Sequence, residues 1–210
     1  MPMELLPPRV KFLSFSPGMI IQPGFIGALL IIGLLVSCGE KPLPKPSGYY
    51  RIAFQQKSYQ PLKGIYPYTF EIPEYATAEP DRSANAEPWW INIVIPQHKA
   101  EINLSYKEIR NNLHIFTEES RELAYEHTLK ASAIEEKLYF RPEAGVSGTI
   151  YFIRGNAASP LQFYMTDSVH HFLRGALYIK ATPNIDSLKP VIEYLEKDVI
   201  HLIETLQWKN

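Results

Sequence analysis

The stretch GTIYFIRGNAASPLQFYMTDSVHHFLRGALYIK, residues 148–180, decides the fold. Gly148 to Arg154, Leu161 to Thr166 and Phe172 to Lys180 are rich in β-branched and aromatic residues, the composition of strands. Gly155-Asn156-Ala157-Ala158-Ser159-Pro160 joins the first pair, and Asp167 to His171 joins the second. A parallel crossover needs a dozen or so residues, so connections this short make the three strands antiparallel neighbours. Downstream, Thr182-Pro183-Asn184-Ile185-Asp186 breaks the last strand and offers Asp186 as a helix N-cap. Leu188, Val191, Ile192, Leu195, Val199, Leu202, Ile203 and Leu206 then form an apolar stripe at helical spacing. Pro190 is expected in the first turn of this helix, where its missing N–H costs little. A helix of about 20 residues is roughly 30 Å long, enough to cover a sheet face.

Upstream, Tyr49 to Phe54 reads as a short strand. Tyr66, Tyr68, Phe70 and Ile72 alternate with Pro67, Thr69 and Glu71, the period of a half-buried strand, and Pro67 suggests an edge. Glu74 to Pro88 is polar and turn-rich, the composition of a loop. Trp89, Ile91, Ile93 and Ile95 share one face, Pro96-Gln97-His98-Lys99 turns, and Ala100, Ile102, Leu104 and Tyr106 alternate again, which makes a hairpin. The period changes at Leu113, Phe116, Ser120, Leu123, His127 and Ala131, an amphipathic helical stripe. Ile134 to Phe140 fits either period, with a strand from Lys137 as one reading, and Pro142 to Val146 is a turn. The fold class is therefore α+β: an antiparallel β-sheet covered by helices, with a long C-terminal amphipathic helix. The order of elements suggests an α/β/α sandwich of the Mog1/PsbP-like kind.

Phe25 to Cys38, FIGALLIIGLLVSC, is a different kind of segment, and it ends in the only cysteine of the chain. Its apolar run is shorter than the roughly 20 residues of a transmembrane helix and suits the h-region of a signal peptide, with Arg9 and Lys11 as the positive n-region. Leu35-Val36-Ser37-Cys38 has the form of a bacterial lipobox. The Cys38 sulfur would accept a diacylglycerol, and the small Ser37 lets a peptidase cut before it. Residues 1–37 are thus expected to be a lipoprotein signal peptide. Residues 38–48, with Pro42, Pro44 and Pro46, form an extended tether, and residues 49–210 a single α+β domain. The protein is expected to be anchored in a membrane of the cell envelope through lipid on Cys38.

Lys and Arg number 21 against 22 Asp and Glu, for a net charge of −1, with no basic block, so nucleic acid is not an expected partner. With Cys38 acylated no thiol remains, which removes disulfides, thiolate metal sites and a cysteine nucleophile. Ser159, Asp167, Ser168, His170 and His171 crowd the connections of the meander, and a Ser/His/Asp hydrolase can be imagined there. There is no G-x-S-x-G elbow, Ser159 precedes a proline in a turn, and adjacent histidines on an extended segment point to opposite faces. His114 and Glu118 could touch one metal, but two ligands are not a site. No catalytic residue, metal or cofactor is expected. Trp89 and Trp90 could stack on sugar rings, although in a strand one must face inward. Gly155 to Ser159 lacks the glycine spacing and lysine of a phosphate loop. The favoured site is a partner-binding end of the sheet built from Gly155, Asn156, Ala157, Ala158, Ser159, Asp167, His170, His171 and Arg174. There, small residues would let another chain approach the backbone.

Longer motifs carry a resemblance. They are PLPKPSGYYRI (42–52), PYTFEIPEYA (67–76), WWINIVIP (89–96), INLSYKEIRNNL (102–113), AYEHTLKASAIEE (124–136), RGNAASPLQFYMTDSVHHFLRGALY (154–178) and PNIDSLKPVIEYLEKDVIHLIETLQW (183–208). Together they resemble the gliding motility lipoprotein GldD family of Bacteroidetes over nearly all of the expected mature chain. The departure is the extension before Phe25. The resemblance implies a non-catalytic part of the envelope machinery for gliding and type IX secretion, acting in its assembly or stability and exposed to the periplasm. It implies other gliding lipoproteins, such as GldB and GldJ, as partners, and it transfers no catalytic residues. Asp167-Ser168-Val169 and Asp186-Ser187-Leu188 also resemble the short O-glycosylation acceptor of that phylum. The alternatives are a periplasmic hydrolase using the Asp167 to His171 cluster and a glycan-binding envelope module.

Overall fold

In the structure, a computed structural model, residues 53–181 and 185–209 are described. The expected signal peptide, Cys38, the tether and most of the Tyr49 to Phe54 strand lie outside these residues. So do Thr182 to Asn184 and the side chain of Asp186.

Alternating apolar residues build the strands in chain order. They are β1 (Tyr59–Pro61), β2 (Tyr68–Thr69), β3 (Glu71–Pro73), β4 (Thr77–Pro80), β5 (Ile91–Ile95) and β6 (Ala100–Glu108), then β7 (Ala131–Arg141), β8 (Val146–Gly155), β9 (Leu161–Thr166), β10 (His171–Ile179) and β11 (Gln207–Trp208). Helix α1 (Leu113–Tyr125) separates β6 from β7, and α2 (Ile185–Thr205) follows β10. The main sheet has seven strands in the order β4-β5-β6-β10-β9-β8-β7, every pair antiparallel. The meander β8-β9-β10 is adjacent as its short connections require, with Ile150 opposite Phe163 and Gly175 opposite Phe163 on the other side. Gly175 is dictated by packing: a Cβ there would lie 2.2 Å from the Phe163 ring, so only hydrogen lets that ring occupy the core.

Because side chains alternate, one face of the sheet gathers Ile91, Ile93, Ile95, Ile102, Leu104, Phe163, Met165, Leu173 and Leu177, all buried. The α2 stripe of Leu195, Val199, Leu202 and Ile203 closes on this face, joined by Tyr68, Phe70 and Ile72 from the first segment. Full burial of one such aliphatic side chain contributes about 1.5–3 kcal/mol, so this face holds most of the stabilisation. On the opposite face α1 buries Ser120 and Ala124; Ala124 packs with Tyr151 and Ile153, and Phe116 packs on Phe172 with ring centroids 5.4 Å apart. Two helices on opposite faces make the expected sandwich.

Four local expectations change. The helical stripe stops at Tyr125. Glu126–Leu129 tightens into a 3-10 turn, and the chain enters β7 at Ala131, not at Lys137. The ladder from Ala131 opposite Gly155 to Arg141 opposite Val146 overrides the local period. The expected loop from Glu74 contains β4, drawn into the sheet by pairing with β5. Trp89 lies before β5 with a positive φ of 65°, outside the face of Ile91. Pro190 lies in the second turn of α2, past the positions that need no N–H.

Candidate functional site

The residues expected to form one partner-binding end divide between two ends. β9 runs from Leu161 to Thr166, six residues or about 20 Å. The Gly155 to Pro160 connection sits at its start and the Asp167 to His170 connection at its finish. Successive turns of a meander must alternate ends, and sequence proximity conceals this.

At the first end the small residues serve the chain itself. Gly155 has φ 105°, and a Cβ on it would lie 2.7 Å from the Ser132 backbone nitrogen, so the closely approaching chain is β7, at the irregularity between Ala131 and Ala133. Ala157 packs against the α1-side cluster, Ser159 is completely buried, and Ala158 and Asn156 are exposed. Only part of this connection is therefore surface.

At the second end Asp167 builds the turn. Its Oδ1 accepts the backbone N–H groups of Val169, His170 and His171 at 2.9, 2.8 and 2.8 Å. Burial pushes the Asp167 carboxyl up, but these backbone bonds outweigh it and hold the group below its ordinary value. Thr166 Oγ1 accepts from the Ser168 N–H and donates to the His171 carbonyl, holding Ser168 at φ 70°. His170 is exposed, with Nδ1 3.8 Å from the Asp167 carboxylate. His171 Nδ1 lies 2.7 Å from the Tyr106 hydroxyl, its ring stacks on Trp208 at 5.2 Å, and burial lowers its pKa. Arg174 is on neither turn: it donates to Gln162 Oε1 at 2.6 Å beneath the α1 side, where burial lowers its pKa. Ser159 is thus separated from Asp167, His170 and His171 by the length of a strand, and no Ser/His/Asp relay assembles from them.

The tryptophans are engaged within the chain. Trp89 is 40% exposed and meets Tyr106 edge-on at 5.6 Å, while its carbonyl accepts the Tyr68 hydroxyl at 2.6 Å. Trp90 donates its indole N–H to the Tyr106 carbonyl, with Lys107 Nζ 5.2 Å above its ring. Among the described residues no group of three His, Cys, Asp or Glu side chains is arranged to hold a metal. A cleft of about 800 Å³ runs beside Gly155 and Asn156, walled by Lys130, Glu135, Arg154 and Glu196. Arg154 and Glu196 close an ion pair across it at 2.5 Å, and burial raises the Glu196 pKa. Its walls alternate in sign and present no convergent set of donors.

Two features were not visible in the sequence. One is a polar cluster centred on Asp198, which is 1% exposed. It receives Lys57 Nζ at 2.6 Å, the Tyr59 hydroxyl at 3.1 Å and the Tyr75 hydroxyl, so it locks the chain's first described segment to α2. Asp198 lies among the polar positions of the α2 pattern, and only its burial gives it away. The other is β7, whose outer edge carries Leu138 at 82% and Phe140 at 75% exposure. The charged run Glu135-Glu136-Lys137 hides this strand from any hydrophobic count.

Among the described residues no helix is long and apolar enough to cross a membrane. No curated protein matches the chain. One solved structure similar to it is the solution structure of cyanobacterial PsbP (CyanoP) from Synechocystis sp. PCC 6803. It shares 9% sequence identity at a TM-score of 0.41, over 78% of this chain and 99% of that one. The family model described as gliding motility lipoprotein GldD matches residues 39–208. That match spans every element of the sheet and both covering helices, and the chain belongs to the gliding motility lipoprotein GldD family.

Proposed function

We propose that this protein is a lipid-anchored, non-catalytic component of the machinery for gliding motility and type IX secretion, acting in its assembly or stability. The family match over residues 39–208, directly after the lipobox cysteine, carries the reading. The protein acts from the cell envelope, facing the periplasm, and its partners are other gliding lipoproteins such as GldB and GldJ. Dispersal of Ser159 from the Asp167 turn, and the commitment of the Asp167 Oδ1 to backbone donors, support a role without catalysis. Exposed His170 and Ala158 are candidate contact points, at separate ends of the sheet.

The test is Cys38→Ala in the full chain, followed through membrane fractionation, colony spreading and secretion. Stable tethering needs more than one acyl chain, which a mature lipoprotein supplies. Loss of the anchor should release the protein from salt-washed membranes and abolish spreading and secretion together. Retention in the washed membrane fraction, or full motility from the released protein, would overturn the reading.

A further inference from the structure

The two edges of the main sheet differ in kind. Edge strands expose unpaired N–H and C=O groups, and proteins blunt them with short length, proline or covering elements. β4 is blunted: it has four residues and ends at Pro80. β7 is eleven residues long without proline or glycine, and no strand pairs with its outer side among the described residues. Leu138 and Phe140 project from it almost bare.

We propose that β7 pairs antiparallel with β7 of a second copy about a two-fold axis at Glu136, joining two sheets into one. Side-chain charge favours a second copy as the occupant and, with Arg141 committed to the Leu206 carbonyl and so not free to pair, guides the register. A two-fold axis normal to the sheet keeps each residue on its own face, so the axis must pass through a residue and opposed positions differ by an even number. With the axis at Glu136, Glu135 of each copy faces Lys137 of the other, and Ile134 faces Leu138. Each contact occurs twice. Opposite charges and apolar pairs directly across an antiparallel ladder are the favourable combinations. Moving the axis to Lys137 opposes that lysine to itself and sets Glu136 against Leu138. Moving it to Glu135 opposes that carboxylate to itself and leaves Lys137 facing Ala133. The chosen register does bring the two Glu136 side chains together. Each already accepts the Tyr125 hydroxyl at 2.8 Å, so this carboxylate keeps a donor of its own at the seam. The irregularity beyond Ala133 confines regular pairing to Ala133–Tyr139.

The experiment is oxidative cross-linking of the full, anchored chain in membranes. Cys38 is its only native cysteine, so the unmodified chain is the control. Glu136→Cys places two sulfurs across the axis, near the separation a disulfide spans. It should give a disulfide-linked homodimer, whereas Glu79→Cys on β4 should not. In the Glu136→Cys background, Glu135→Lys or Lys137→Glu makes both opposed pairs repulsive and should cut cross-linking by about tenfold or more. The double exchange Glu135→Lys/Lys137→Glu restores attraction and should bring cross-linking back to within about twofold. Circular dichroism of each variant checks that it is folded. A missing homodimer, equal cross-linking from β4, a product of some other mass, or folded variants that ignore the charge exchange would each overturn the proposal.

Discussion

Replacing Asp198 with alanine should be among the most damaging single changes on α2. The Asp198 side chain is completely buried, yet it carries charge and three hydrogen-bonded partners. Lys57 Nζ also donates to the Tyr75 hydroxyl and the Tyr194 carbonyl at 2.9 Å each, and it sits 3.2 Å from the Tyr194 ring centroid. Removing the carboxylate leaves an ammonium in a low-dielectric pocket and two tyrosine hydroxyls without an acceptor. Breaking a buried pair by deleting one partner costs about 3–5 kcal/mol. Lys57 keeps 21% of its side chain in solvent, so the lower end, about 3 kcal/mol, is expected. A whole domain holds only about 5–15 kcal/mol, so this is a large fraction of it. The cluster also has a mechanical consequence. Phe54 stacks on Tyr194 at 4.4 Å, and the Tyr194 hydroxyl donates to the Gln55 carbonyl, so the first described segment is clasped to α2. Urea unfolding is the assay: the midpoint should fall with an unchanged slope. Tyr75→Phe alone should cost about 1–2 kcal/mol and much less in the Asp198→Ala background, because the two share one network. A loss below about 1 kcal/mol for Asp198→Ala, at unchanged slope, would refute this account of the cluster.

Two further outcomes follow from the site geometry. Ala157→Arg should unfold or strongly destabilise the domain, because Ala157 packs beneath α1, whereas the exposed Ala158→Arg should leave thermal unfolding within a degree or two; equal melting of the two would contradict the packing. Acidification should also destabilise the fold: burial lowers the pKa of His98, His127 and His171, so below their ordinary value of 6.5 the unfolded chain takes up protons that the native chain resists. Stability is therefore complete above about pH 6.5 and declines below it. Asp167, whose pKa is lowered, adds a second loss as pH falls through 3.8 and below. Denaturant midpoints measured from about pH 8 to about pH 2.5 check the sign, and a flat profile would be inconsistent with it.

Much of the fold was legible because its signals are local. Ile91, Ile93 and Ile95 alternate with Asn92 and Val94, and Ala100 to Tyr106 repeats the pattern. A hairpin with Ile95 opposite Ala100 results. Leu195, Val199, Leu202 and Ile203 recur at helical spacing, so α2 could be placed with its buried face. The family motifs are likewise contiguous strings, long enough to be read one after another. Tertiary structure alone decided what depends on pairing over distance. Ala131 to Leu138 carries three charges and no clean period, and it became a strand because β8 offered it a complete ladder. Gly155 and Asp167 are twelve positions apart in sequence, yet the meander sends their turns to opposite ends of the sheet. Asp198 and Lys57 are ordinary surface residue types; burial of one against the other, across 141 positions of chain, made them an anchor. Periodicity reports which face of an element is apolar, because that pattern is written within a few residues. Which strand becomes an edge, and which polar groups are buried, is set by register and packing between elements that no local window contains.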